Sequence, residues 1–251
     1  MNETNETNKI SEIIRKRKSV RKYDYTPLDA EALDKIRSKI ENVAPLYPDI
    51  KYSVEIVNKT TGIFNIKAPH YLIFRSEEKD GALENIGFIG QQLDLFLSGS
   101  GLGSCWLGAS RPEDQNNSGL NFIISIAFGK PAEPLHRALT EFKRKPLAEI
   151  SEGADARLEA ARLAPSAVNA QNWYFIAENK KICCYRKKAN PWLGFIYNKL
   201  HCIDMGIALC HIAAESEKSD GFSFAKEATA PEKKGYVYMG TVGGGEPKMT
   251  D

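Results

Sequence analysis

The chain has 251 residues, 42% hydrophobic and 26% charged, with a formal net charge of +2. Such a chain buries a core without metals or disulfides. Its near-neutral charge excludes a global attraction to nucleic acid or to an anionic membrane, so any anion site must be local. The five cysteines (Cys105, Cys183, Cys184, Cys202 and Cys210) form no regular framework. They read as reduced thiols of a cytoplasmic protein. No uninterrupted apolar run is long enough to span a bilayer.

Residues 1–9 are polar and repetitive (NETNETN) and read as a frayed tail. A first helix is predicted over residues 10–18. A second follows Asp29, a suitable N-cap, with Leu33, Ile36 and Ile40 at helical spacing. Strands are predicted over residues 51–57 and 70–74. Residues 86–97 carry apolar side chains around most of a helix and predict a buried one. Glycines 99, 101 and 103 stop it. Strands are then expected at 105–107 and 122–128.

The pattern recurs. A helix over 154–163 ends before Pro165, strands follow at 173–177 and 182–185, then an apolar helix at 201–214 and a strand at 236–241. Each half reads helix, two strands, long apolar helix, strand. Mixed helices and short strands predict an α+β sandwich of two related halves, with a central antiparallel sheet and buried central helices. The halves are residues 10–150 and a shortened 151–242, with residues 243–251 as a flexible tail.

Between Arg15 and Lys22 only Ser19 and Val20 are not basic. In an extended stretch Arg17, Ser19 and Arg21 fall on one face. Two guanidinium forks and a hydroxyl suit a phosphate, although charge alone favours a solvated surface. A second cluster, Lys143, Arg144 and Lys145, precedes Pro146. Residues 164–173 (APSAVNAQNW) place Ser, Asn and Gln on a turn before a strand, where they can bond the edge of a heterocycle or only their own backbone.

Other motifs carry less. Gly99, Gly101 and Gly103 lack dinucleotide-binding spacing and follow a helix. The segment around Cys105 is superficially similar to a papain-type nucleophile segment, but the apolar helix precedes the cysteine. His70, His136, His201 and His211 are scattered and no C-x-x-C pair exists, so no metal site is expected.

Together these motifs resemble the FMN-dependent nitroreductase family. Residues 15–25 (RKRKSVRKYDY) are similar to its R-x-S-x-R-x-[FY] opening, and residues 164–173 to its P-S-x-x-N-x-Q-P-W. Residues 68–70, 101–108, 128–133 and 143–147 extend the resemblance over nearly the whole chain. Two departures stand out. The P-S-x-x-N-x-Q segment occurs only in the second half, and Asn172 stands where the family has Pro. The first implies a single-chain pseudodimer, of the TM nitroreductase type, with one flavin site per chain and no need of a partner subunit.

The resemblance implies non-covalent FMN, reduced by NADH or NADPH, that passes electrons to a nitroaromatic or quinone in ping-pong order, without a dedicated catalytic side chain. It assigns Arg17, Lys18, Ser19 and Arg21 to the phosphate and ribityl groups, closed by Lys143 or Arg144. Pro165, Ser166 and Asn169 face the ring and ribityl chain, and the backbone of Leu107, Gly108 and Ala109 runs along the ring edge. Other expectations are an FMN enzyme of a different reaction (dehalogenation or flavin breakdown) and a flavin-free binding module. The expected partner is a small-molecule substrate only, with no nucleic acid, no membrane and a monomeric chain. Helical insertions after Val57 or at residues 190–195 are candidates for a lid, and Trp192 and Phe195 are candidates for stacking on an aromatic acceptor, with core packing the favoured role.

Overall fold

The computed structural model describes residues 3–62, 66–113, 119–188, 194–216 and 221–243. In chain order it has α1 (Glu3–Ile14), α2 (Ala30–Glu41), β1 (Tyr52–Val57), β2 (Thr60–Gly62), β3 (His70–Ser76) and α3 (Ala82–Gly99). Then come β4 (Gly103–Leu107), β5 (Ser110–Pro112), β6 (Asn121–Gly129), α4 (Leu147–Ile150), β7 (Ser151–Glu152) and α5 (Arg157–Leu163). Last are β8 (Trp173–Glu178), β9 (Lys181–Lys187), α6 (Gly194–Ser216), β10 (Ser223–Ala225) and β11 (Tyr236–Gly243). The chain divides into two units: Arg15–Glu141, and Met1–Ile14 together with Phe142–Asp251.

In the unit Arg15–Glu141, strands pair antiparallel in the order β1-β3-β6-β4, and β2 pairs with β5. Every residue of β3 is buried, which fits the apolar stretch at residues 71–74 in its middle. α3 is apolar around most of its circumference and buries most of its residues, including Gln91 and Asp94. Gly101 (φ 82°) takes the left-handed position that ends it, while Leu102 N–H returns to Leu97 O. Gly90 lets the Trp106 ring lie against the helix, since a Cβ there would sit 2.4 Å from it.

The other unit carries a five-stranded sheet, β10-β11-β9-β8-β7, antiparallel except for the parallel β7–β8 pair. α5 and α6 pack together, and α1 packs on both. The buried face of α6 carries Ile203, Met205, Ile207, Ile212 and, among them, the polar His201, Asp204 and His211.

The expected α+β architecture is present, with the strands divided between two principal sheets. The first helix differs from the sequence expectation. It begins at Glu3 and ends at Ile14, because Ile10, Ile13 and Ile14 form its apolar stripe. Residues 15–18 are not helical beyond a turn; Arg17 instead forms a bridge with His136. The stretch read as a tail thus contributes a helix to the unit that contains residues 142–251. After Val57 the chain forms β2 rather than a helical insertion. Residues 190–193 and the side chain of Phe195 lie outside the described residues, as do residues 244–251.

Candidate functional site

The basic segment is held in place by three isolated bridges: Arg17 with His136, Ser19 with Ser104, and Tyr23 with Pro131. Arg17, Val20 and Tyr23 point inward, 0%, 0% and 3% exposed. Burial therefore recurs every third residue, not every second. Arg17, Ser19 and Arg21 do not share one environment: Arg17 is buried, Ser19 half-buried and Arg21 exposed. The reason is that apolar Val20 and Tyr23 claim the interior, and the separate bridges let the backbone twist between them.

Arg17 Nε lies 2.9 Å from Asp94 Oδ2 with both side chains buried. The N–H is not aimed along that line, so the contact is coulombic rather than a hydrogen bond, and Arg17 Nη1 has no hydrogen-bond partner among the described residues. Nη2 reaches Ser19 Oγ at 3.4 Å. Asp94 also accepts from Ser104 Oγ (2.5 Å) and Gln91 Nε2 (3.0 Å), and Gln91 accepts from Trp106 Nε1. This chain of bonds joins β4 and α3 behind the segment.

Outside it, Lys18 Nζ stands 3.8 Å from Glu133 Oε2, and Glu133 Oε1 accepts the Arg21 N–H at 2.6 Å. The Arg21 amide, followed by the lysines, holds the Glu133 carboxyl below its usual range despite partial burial. Leu107 ends β4 and is buried, while Gly108 and Ala109 form an exposed turn into β5. Cys105 lies within β4, and burial pushes its thiol up although Arg21 and Arg17 oppose this. It is therefore a poor nucleophile at neutral pH.

In the other unit, the Lys143–Lys145 cluster and the turn at 165–172 are brought together. Arg144 Nη1 donates to Asn169 Oδ1 and Nη2 to Leu163 O, while Asn169 Nδ2 donates to Lys143 O at 2.7 Å. Lys145 N–H donates to Gln171 Oε1 (2.8 Å), and Lys145 Nζ to Ala170 O (2.8 Å). Ser166 Oγ accepts the Gln171 N–H at 3.0 Å. Pro165 is buried, and Val168 is 92% exposed. Asn172 Nδ2 lies 2.7 Å from His201 Nε2, and His201 Nδ1 lies 3.2 Å from Lys187 O. That pattern is satisfied by a neutral imidazole with its proton on Nδ1. A shallow cavity of about 570 Å³ beside Leu147, Ser151 and Asp155 is lined by none of the candidate residues.

The family model described as "Putative TM nitroreductase" matches residues 9–216. The chain belongs to this nitroreductase family. A solved protein from Thermotoga maritima, described in the same terms as a putative nitroreductase, shares 22% identity at a TM-score of 0.64. The match covers 93% of this chain and 91% of that one, so the nitroreductase fold is not confined to one of the two units. A nitroreductase family protein of Clostridium difficile 630 matches at 18% identity and TM-score 0.44, over 55% of this chain and 94% of its own. An FMN-dependent nitroreductase of C. difficile R20291 matches at 20% identity and TM-score 0.41, over 52% and 93%. Among curated proteins, none matches this sequence.

Three residues of these clusters escape a reading of the sequence. Asp94 sits in an apolar helix, Glu133 after a strand, and Asp204 in a second apolar helix. For Asp94 and Asp204 a signal was available: a carboxylate flanked by apolar residues, inside a helix that is apolar around most of its circumference, reads as buried. Among the described residues no group of three His, Cys, Asp or Glu is placed to hold a metal ion. No described helix is long and apolar enough to cross a membrane.

Proposed function

We propose that this nitroreductase-family chain is an FMN-dependent oxidoreductase that takes reducing equivalents from NADH or NADPH and passes them to a small acceptor such as a nitroaromatic or quinone. The observation that carries the reading is the cationic edge formed by Lys18, Ser19 and Arg21, backed by the buried Arg17 guanidinium with its unsatisfied Nη1. A buried donor without a partner is costly, and an anionic oxygen nearby relieves it. The donor set (an ammonium, a guanidinium and a hydroxyl) fits a phosphomonoester.

In this reading Lys18, Ser19 and Arg21 hold the phosphate, with Arg17 behind them. The remaining groups are Leu107, Gly108 and Ala109 by their backbone, and Lys143, Arg144, Pro165, Ser166 and Asn169. FMN, when bound, supplies the two-electron chemistry. The chain's own residues bind and orient, and no side chain is assigned as a catalytic acid or base. One FMN per monomeric chain follows from the occurrence of each motif once.

The test is flavin titration of the purified protein and of the Lys18→Ala, Arg21→Ala double variant. Loss of two charge-assisted contacts weakens FMN binding by roughly 100-fold or more. Undiminished binding in the double variant rejects the phosphate assignment. A second reading, a flavin-free binding module, is favoured by the inward turn of Arg17, whose side chain is 1% exposed. A colourless protein that ignores added FMN would establish that reading instead.

A further inference from the structure

The turn between Ser166 and Gln171 holds three side-chain-bearing residues in the left-handed region: Val168 (φ 47°), Asn169 (φ 58°) and Gln171 (φ 50°). For a β-branched residue such as Val168 this is a strained backbone, and it persists only where the surroundings over-determine it. The clamps from Arg144 and Lys145 fasten one end of the turn. The other end is fastened from beneath. Asp204, on α6, accepts the Ala167 N–H on Oδ1 at 2.9 Å.

Asp204 is an expensive anchor. It is 4% exposed, and its second oxygen, Oδ2, is buried with no hydrogen-bond partner among the described residues. An apolar side chain of the same size would pack there at less cost. Burial pushes its carboxyl up to about 7, the Ala167 N–H opposing this. Stability alone does not account for a half-satisfied acid under a strained, exposed turn.

We propose that Asp204 is a positioning residue for a ligand-contacting turn: by fixing the Ala167 amide it holds Ser166 and Asn169 ready to hydrogen-bond the heteroaromatic ring of a bound cofactor. This deepens the assignment of those two residues under the proposed function and rests on it. Ser166 Oγ already accepts from Gln171, so its hydroxyl proton is available to donate. Hydrogen bonds with Arg144, Lys145 and Asp204 fasten the turn without any ligand, and such fastening lowers the ordering cost of binding.

The experiment compares wild-type protein, Asp204→Asn and Asp204→Leu, all as the full chain. Hydrogen exchange is measured without flavin, and FMN affinity by titration. Asn keeps an oxygen acceptor for the Ala167 N–H; Leu removes it. In Asp204→Leu the amides of residues 167–171 should exchange about tenfold faster or more, and FMN binding should weaken about tenfold, with Asp204→Asn within about threefold of wild type in both. Unchanged exchange at 167–171 in Asp204→Leu overturns the proposal. So does faster exchange with unaltered FMN affinity. If Asp204→Leu does not fold, Asp204→Ala serves in the same comparison. Should wild-type protein bind no FMN, the proposed function fails, and the positioning role then stands or falls on the exchange result alone.

Discussion

Arg17 and Asp94 meet as a buried ion pair, Nε to Oδ2 at 2.9 Å, in the core of the unit that also holds β4 and α3. Asp94 accepts from Ser104 on one oxygen and from Gln91 on the other. The pair therefore fixes the basic segment from behind, whatever Lys18 and Arg21 do in front.

Removing either partner leaves the other charge buried and uncompensated. Arg17→Ala and Asp94→Ala should each destabilise the flavin-free protein by about 3–5 kcal/mol. The double change Arg17→Met, Asp94→Leu should recover most of that loss, because apolar groups of similar size fill the space without a desolvation cost. Denaturant unfolding of the four proteins checks this. Single variants as stable as wild type would show that the pair contributes nothing.

Glu133 acts in front of the same segment and opposes the proposed ligand. Its carboxylate faces Lys18 and takes the Arg21 amide. Glu133→Gln keeps the acceptor for that amide and removes the negative charge. FMN affinity should rise by about two- to tenfold in low salt and converge with wild type as salt screens the difference. Weaker binding in Glu133→Gln at every salt concentration would refute the opposition.

Much of the fold was legible in the sequence because it follows from periodicity. The all-buried β3, the apolar α3 and α6, and the left-handed Gly101 after α3 each leave a local pattern. The segment from Arg15 to Tyr23 did not read correctly. Its alternation suggested a strand face, but three separate bridges replace a continuous ladder, and the burial of Val20 and Tyr23 decides which side chains turn in. The proximity of Lys143, Arg144 and Lys145 to Asn169 and Gln171 was equally hidden, since it depends on where α5 returns the chain. The burial of Asp94 and Asp204 follows from the apolar helices that carry them, but the groups they meet, Arg17 and the Ala167 amide, are set by tertiary structure.

Val168 offers a direct measure of the strain in the turn. With φ at 47° and the side chain 92% exposed, it makes little packing that a smaller residue would lose. The left-handed conformation costs about 1–3 kcal/mol for such a residue. Val168→Gly removes that cost but loosens the unfolded chain by about 0.4–1 kcal/mol. The net should be a gain of roughly 1 kcal/mol, read as a higher unfolding midpoint. A loss of stability in Val168→Gly would mean the strain is relieved elsewhere.

Two buried groups in the unit that holds α6 titrate in opposite senses, and the sign of each fixes a pH dependence. Asp204, raised by burial from its ordinary 3.8 to about 7, keeps its proton in the folded state where the unfolded chain has lost it. Its effect on stability is therefore absent at low pH and grows as pH rises from 3.8 towards 7, to at most about 4 kcal/mol. His201 is lowered, chiefly by burial, from its ordinary 6.5. The unfolded chain protonates it first, so stability is lost as pH falls below about 6.5. Protonation would also end the acceptor role of Nε2 towards Asn172. Asp204→Asn should consequently be more stable than wild type at pH 8, with the advantage shrinking towards pH 4, while His201→Gln should flatten the loss on the acid side. Urea unfolding across that range separates the two. An Asp204→Asn advantage that is equal at pH 8 and pH 4 would show that the carboxyl does not hold its proton in the fold, and the half-satisfied Oδ2 would then carry a full charge at neutral pH.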